Sequence, residues 1–446
     1  MNVAARPNSS DRACADEHNR QSMAPPLSIT LLHPAGGPFV LQAARAFAEV
    51  GALQRLVTTV VDRPDSVLQR GACRLARLAG YDLARQLRRR AAIDIPAQKV
   101  VAYPWRELCR QAASRLDRTR VLTDRVWEWA ETGFDRWVAR HGLRGATAVY
   151  GYEHACRSSL EEGKRRGLLC VYDVPAPEHE FTHRLLEREA ELFPELSDRY
   201  RQHVRQRPLH VRRTERRRRE WHAADVVVAA SAFTRDSFSG YPGVNKVRVI
   251  PYGAPPVDAA GLDGGTRGDG PLRMLWAGTF SPRKGAHYLI DAWRRGGLKS
   301  GEAVFEHFGS VTLPAGMLAR APAEFRFHGS VPREELFDAY RAADVFVFPT
   351  LCDGFGMVVT EAFSRGLPVL TTRSAGAADL VRPGVNGLLV RPGDADDLAA
   401  ALRWCVEHRG ELRSMRPAAL ATAAGWQWTD YRAALRAAVL ERYRER

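Results

Sequence analysis

The chain has 446 residues, 45% of them hydrophobic, and a formal net charge of +15. Such a length exceeds one ordinary core, and such apolar content excludes wholesale disorder, so two domains are expected. Seven scattered cysteines (Cys14, Cys73, Cys109, Cys156, Cys170, Cys352, Cys405) without C-x-x-C spacing argue against a disulfide frame or zinc site and for a reducing, cytoplasmic setting.

Residues 1–26 are polar and lack an apolar h-region; they read as a disordered segment, with Met23 an alternative start. Neither export nor a membrane span is expected, because no run approaches the roughly 18 apolar residues a span needs. "LSITLLHP" reads as a strand ending in a Gly36-Gly37 turn, followed by the helix "FVLQAARAFAEV", a stop at Gly51 and the strand "LQRLVTTVV". Residues 65–145 read as mostly helical and basic, with Trp105, Trp127, Trp129 and Trp137 expected in the core. The strands "ATAVYGY", "LLCVYDV", "ADVVVAAS" and "VRVIPYG" follow between helices. Continuous apolar runs alternating with helices argue for a parallel sheet covered on both faces.

Residues 254–271, "APPVDAAGLDGGTRGDGP", are rich in glycine, proline and aspartate and read as a linker. It divides a first domain over 27–253 from a second over 272–423. In the second, "LRMLWAG", "AVFEHFG", "EFRFHGSV", "DVFVFPT", "LPVLTT" and "GLLV" are strands, and "DADDLAAALRWCVE" is a helix with Asp394 at its N-cap. Residues 424–446 form a terminal helix beginning at Trp426 or Trp428. The fold class is thus α/β, two doubly wound Rossmann-like domains, with ligands expected at the carboxyl ends of the strands.

Arginine supplies most of the charge, in "RRTERRRREW" (Arg212, Arg213, Arg216 to Arg219) and "RQLRRR" (Arg85, Arg88 to Arg90). Such runs suit a solvated helix face or an anionic membrane surface. Nucleic acid is not an expected partner, since no recognition motif accompanies the charge.

The chemistry concentrates in "CDGFGMVVTEAFSRGLPVL" (352–370). A loop carrying Asp353 runs through Gly354, Phe355 and Gly356 into a helix that holds Glu361. Small residues admit a ligand to the backbone, and free N–H groups at the helix start favour a diphosphate. Upstream, "WAGTFSPRKG" sets Arg283 and Lys284 at a strand-to-helix turn, where two cations can neutralise a diphosphate leaving group.

The ordered set "GTFSPRKGAHYLIDAW", "FHGSVPREELFDAYRAADVFVFPTLCDGFGMVVTEAFSRGLPVLTT" and "GVNGLLVRPGDADDLAAAL" resembles the carboxyl-terminal domain of the retaining GT-B glycosyltransferases of family 4. The resemblance is strong over 272–408, loose over 27–63 and 145–253, and limited to helical character over 65–145 and 175–222. It implies a nucleotide-diphosphate sugar donor held mainly by the second domain, a glycan or lipid-linked acceptor held by the first, and cleft closure during turnover. It also implies that the terminal helix crosses back onto the first domain, with Trp428, Tyr431 and Tyr443 packing between the two.

Residue by residue, the family's E-x7-E pair falls on Asp353 and Glu361, with aspartate in place of the first glutamate. Thr279 follows Gly278 where an arginine is frequent, leaving Arg283 beside Lys284 as the second cation. The backbone of Gly356, Met357 and Val358 would cradle phosphate, although Val358 stands where a proline is common. Gly37 would let the diphosphate approach the first domain, and the base would meet backbone between Gly329 and Val331. The histidine that follows a middle strand of the first domain falls in "VYGYEHAC", on His154 or Glu153, a structural histidine being the alternative. No metal or other cofactor is implied: "DADD" at 394–397 reads as a helix start, and arginine, lysine and helix dipoles can stabilise the leaving group. Front-face retaining transfer in cell-surface polysaccharide or glycolipid assembly, at the inner membrane face, is the implied role. A GT-B epimerase or phosphorylase, or a non-catalytic nucleotide-sugar-binding protein, are the alternatives.

Overall fold

The computed structural model describes residues 25–78, 82–88, 95–117, 121–196, 207–259, 262 and 270–446. Met23, Arg89, Arg90 and all but the last two residues of the 1–26 segment lie outside them. Among the described residues there are two wholly parallel sheets. The first contains β1 (Ile29–Leu32), β2 (Leu53–Thr58), β3 (Val100–Ala102), β4 (Ala148–Tyr152), β5 (Leu169–Val174), β6 (Val226–Ala229) and β7 (Val247–Val249), in the order β3-β2-β1-β4-β5-β6-β7. The second contains β8 (Leu272–Ala277), β9 (Ala303–Phe308), β10 (Phe325–Gly329), β11 (Val345–Phe348), β12 (Val369–Thr372) and β13 (Gly387–Val390), in the order β10-β9-β8-β11-β12-β13. Strand order reverses between β1 and β4 and between β8 and β11, and at such points the loops diverge and leave a crevice.

The sequence pattern explains the elements. β1, β4, β5, β9 and β11 are buried along their whole lengths, as strands of a parallel sheet covered by helices on both faces are. Helix Pro38–Ala48 starts with proline in its first turn, where the missing N–H costs nothing. The Asp394 carboxylate accepts from the Asp397 N–H at 2.8 Å, capping helix Ala395–Glu407. β3 was not expected: three residues before Tyr103-Pro104 are too few to show a period.

Trp105, Trp127 and Trp129, expected in the core, are instead 44, 41 and 41% exposed. The buried stripe of helix Val121–His141 is Ala130, Phe134 and Val138, at the spacing one face requires. Trp129 falls off that stripe, and Trp127 precedes its first turn.

The last helix, Trp428–Arg444, leaves the second sheet and packs on the first. Gln427 and Asp430 form a capping box at its start. Tyr431, Leu435 and Val439 are fully buried, in one cluster with Val40, Ala43 and Phe47 of helix Pro38–Ala48. The Arg432 guanidinium donates to Gln42 Oε1 at 2.7 Å, Arg436 pairs with Glu49 at 2.5 Å, and the Tyr443 hydroxyl donates to the Pro25 carbonyl at 2.7 Å. Where the chain crosses, the Ala254 N–H donates to the Trp426 carbonyl and the Trp426 indole to the Pro251 carbonyl, both at 2.9 Å.

Candidate active site

The loops that follow β8 and β11 meet at the crevice. After β8, Pro282–Lys284 makes one 3₁₀ turn that carries both cations. The Lys284 ammonium pairs with the Asp353 carboxylate, both side chains being largely shielded. Burial and then the neighbouring Arg283 charge push the Lys284 ammonium well down. The Arg283 guanidinium turns the other way and donates to the Cys352 carbonyl at 2.5 Å. Arg283 therefore braces the acidic loop while Lys284 faces the space in front of it.

Asp353 is fixed on three sides. Its carboxylate also accepts the Phe355 N–H at 3.2 Å, its own N–H donates to the Ser374 carbonyl, and its carbonyl accepts from Gly376, both at 3.0 Å. Gly356, at φ 82°, turns the chain into helix Met357–Phe363, a left-handed conformation that favours glycine. Glu361 lies on that helix, with the Tyr340 hydroxyl at 3.4 Å and Arg333 at 3.9 Å. Burial raises its carboxyl pKa against the pull of Arg333.

A cavity of about 240 Å3 opens between the lobes. Lys284, Asp353, Gly278, Thr279 and residues 355–358 line it from the second sheet; Phe39, Pro175 and Tyr252 line it from the first. This volume falls below the roughly 300–1,000 Å3 of ligand pockets, and the lobes are in contact beside it. Ser231 and Thr234 hydroxyls donate to the Gly354 carbonyl at 2.6 and 2.9 Å. A Cβ at Gly354 would stand 2.0 Å from the Pro175 carbonyl oxygen. Farther along, Glu189 of helix His179–Leu192 accepts from His287 at 2.9 Å, so the first lobe also reaches the second through that helix. Another cavity, about 600 Å3, lies among Arg273, Arg326 and Arg409 near the amino ends of β8 to β10, away from the edge where such sheets bind ligands.

The other sequence-derived candidates fall as follows. Gly36 and Gly37 form the turn after β1, two residues before Phe39. Gly329 ends β10, and its carbonyl accepts from the Gly309 N–H at 2.8 Å; Val331 packs against the core beside it. Neither lines the cavity. Glu153 and His154 follow β4 but turn into an ion network. Glu153 pairs with Arg217. His154, at φ 76°, pairs with Glu131, and its carbonyl accepts from Arg216 at 3.0 Å. Phe39, Pro175 and Tyr252 were missed, because aromatic and apolar residues just past strand ends carry no chemical signature. A nearer signal was available for Phe39, in the G-G-x-F turn itself.

Behind the first-sheet wall sits a buried acid. Tyr252 stacks on Phe39 at 5.2 Å, and beneath them the Tyr150 hydroxyl donates to Asp173 at 2.6 Å. Complete burial pushes the Asp173 carboxyl from 3.8 up to about 7. Between those values the folded state holds a proton that the unfolded state has lost. Stability conferred here is therefore fully present below pH 3.8 and falls as pH rises to about 7, by at most about 1.4 kcal/mol per pH unit. Asp173→Asn keeps an acceptor for Tyr150 and removes the titration. Thermal melts should show the variant gaining on the wild type between pH 5 and about 7; a pH-independent difference would mean that Asp173 ionises normally. Glu220, raised by burial to about 7, keeps its own slope of the same sign in both proteins.

Two α/β lobes of parallel strands, facing each other across a crevice edged by Lys284 and Asp353, define the GT-B architecture. Residues 271–408 of the 446 match the family described as "Glycosyl transferases group 1". A D-inositol 3-phosphate glycosyltransferase of Nocardia farcinica is 42% identical over 97 residues, 22% of each chain. The chain thus spans about a quarter of the length of the curated relatives it matches. Two solved structures share the whole fold. A sucrose-phosphate synthase from Thermosynechococcus elongatus has a TM-score of 0.61 at 18% identity, covering 94% of this chain and 98% of its own. Anabaena Alr3699/HepE in complex with UDP-glucose has 0.57 at 16%, covering 93% and 100%.

Proposed function

We propose that the protein is a retaining glycosyltransferase that moves a sugar from a nucleotide-diphosphate donor to a glycan or lipid-linked acceptor in cell-surface polysaccharide or glycolipid assembly. The observation that carries this is the Lys284–Asp353 pair facing an interlobe cavity at the switch point of the second sheet. Departure of a nucleoside diphosphate leaves negative charge on its terminal phosphate. Lys284 is placed to neutralise it, with the backbone N–H groups of Met357 and Val358, which a helix start leaves without intrahelical acceptors. A donor diphosphate entering there displaces Asp353 from Lys284 and frees that carboxylate for the sugar hydroxyls. Glu361 accepts from the ribose, and Gly329 to Val331 lie where the base would rest. Arg283 acts as a positioning residue for the acidic loop. In front-face transfer the departing phosphate oxygen takes the acceptor proton as the new glycosidic bond forms on the same face.

Nucleoside diphosphates and their sugars, screened by thermal shift with UDP first because HepE holds UDP-glucose, should raise the melting temperature for one base over the others. Acceptor-dependent release of the nucleoside diphosphate then identifies a transferase. Interconversion of the donor sugar alone, or phosphate-dependent cleavage, would replace this reading with an epimerase or phosphorylase.

Gly37 offers a sharper probe of the first lobe. Its φ of −128° suits any residue, and an added Cβ would meet nothing closer than Phe39 at 3.5 Å. Gly37→Ala should therefore fold normally and lose turnover, about tenfold or more, only if the diphosphate passes close to that backbone. Unchanged kinetics would place the donor elsewhere.

A further inference from the structure

The hairpin of helices Trp105–Leu116 and Val121–His141 carries an outward face that sugar transfer does not use. Trp105 and Trp129 are more than two-fifths exposed, and Leu108 and Leu122 are 56 and 55% exposed. Four large apolar side chains on one face of a hairpin is more than scattered surface residues require. Arg106 stacks between the two rings, 4.7 Å from Trp105 and 4.2 Å from Trp129, and its guanidinium donates to the Trp129 carbonyl at 2.8 Å, a neutral acceptor; no carboxylate among the described residues pairs with it. Arg125 is exposed beside it. The hairpin's glutamates are engaged elsewhere: Glu107 with Arg110 at 2.7 Å, Glu128 with Arg213 at 3.3 Å and with Arg216, Glu131 with His154.

The position of this face matters as much as its composition. Tyr103 follows β3, its N–H bonded to the Thr58 carbonyl at 2.9 Å, and Trp105 opens the next helix. Glu131 grips His154 just past β4. The aromatic face thus stands at the carboxyl ends of the first sheet's strands, on the edge where the crevice opens.

We propose that this hairpin face docks the protein on the interfacial zone of an anionic phospholipid bilayer. Tryptophan rings and leucines enter the boundary between headgroups and acyl chains, and Arg106 and Arg125 lie against anionic headgroups. Among the described residues no helix is long and apolar enough to cross a membrane, so the attachment is peripheral. The surface chemistry selects lipid over other occupants. A sugar-stacking platform needs open ring faces, whereas Arg106 covers Trp105 and Trp129, and exposed leucines do not recognise hydroxyls. A second copy docking through the same face would set cation against cation. The arginine run 212–219 is a weaker candidate: Arg216 is 6% exposed, and Arg213 and Arg217 are held by Glu128 and Glu153.

The proposal rests on the glycosyltransferase reading only in giving a lipid-linked acceptor its side of the crevice, and its test does not depend on turnover. The full chain is co-sedimented with vesicles of phosphatidylcholine alone or mixed with phosphatidylglycerol, and tryptophan emission is followed with acyl-brominated lipid. Wild type should sediment with the mixed vesicles and its emission should be quenched. Leu108→Asp/Leu122→Asp should lower partitioning at least about tenfold with an unchanged melting temperature and unchanged turnover of a water-soluble acceptor. Arg218→Gln/Arg219→Gln should bind as wild type. Absence of vesicle binding by wild type, equal binding by the leucine variant, lipid-independent self-association abolished by the same substitutions, or quenching by soluble oligosaccharide instead of lipid would each overturn it. Failed docking with intact acceptor-dependent turnover leaves the enzymatic reading standing, and the reverse outcome leaves the docking surface standing.

Discussion

Lys284→Ala should abolish most turnover, by about a hundredfold or more, which is the scale on which a single preorganised donor to a developing oxyanion acts. The ammonium is shielded from water, so its field on a departing phosphate is far less damped than that of a surface lysine. No other described side chain on the cavity wall carries positive charge, since Arg283 is turned onto the Cys352 carbonyl. The loss should appear in kcat with donor affinity falling less, because the charge it answers grows in the transition state. Lys284→Arg is the control: it keeps charge but cannot fill the same space beside Asp353, and partial activity is expected. Steady-state kinetics of both variants, with melting curves to establish folding, decide the matter. Near-wild-type kcat in Lys284→Ala would remove the donor from this cavity.

Deleting residues 424–446 should prevent the chain from folding stably, and the first lobe should suffer along with the second. Tyr431, Leu435 and Val439 are each fully buried, and each contributes about 1.5–3 kcal/mol by burial. Their removal also bares Val40, Ala43 and Phe47. The combined loss matches the whole stability of a typical domain, about 5–15 kcal/mol. Hydrogen exchange should show deprotection in helix Pro38–Ala48 and β1, not only around β8 to β13. Exchange confined to the second sheet would show that the helix is an appendage.

Legibility from sequence differed between the lobes for a physical reason. In the second lobe β8, β9 and β11 are short buried runs followed directly by glycine or proline, and Arg283, Lys284, Asp353 and Glu361 sit in or just after loops that directly follow β8 and β11. Local order therefore carries the site. In the first lobe the decisive partners are distant: Glu153 meets Arg217 from 64 residues away, and His154 meets Glu131 from another helix. A histidine near a strand end looks the same in sequence whether it faces a crevice or an ion network. The exposed tryptophans mislead in the same way, since hydrophobicity names the residue type and only packing names the side it faces. In the arginine run, Arg213, Arg216 and Arg217 were equally opaque, because charge alone does not reveal a carboxylate waiting on a neighbouring helix.

The two covalent crossings between lobes, near Ala254 and Trp426, lie side by side and are hydrogen-bonded to each other. A body hung on one strand of chain can swing, twist and drift; a body hung on two adjacent strands keeps mainly the swing. Opening the crevice then amounts to a bend about this double seam, as a book opens at its spine. The composition of the glycine-rich stretch 260–270 cannot set how far apart the halves move, since the short return path at 425–428 fixes that reach however much chain is inserted into the longer one.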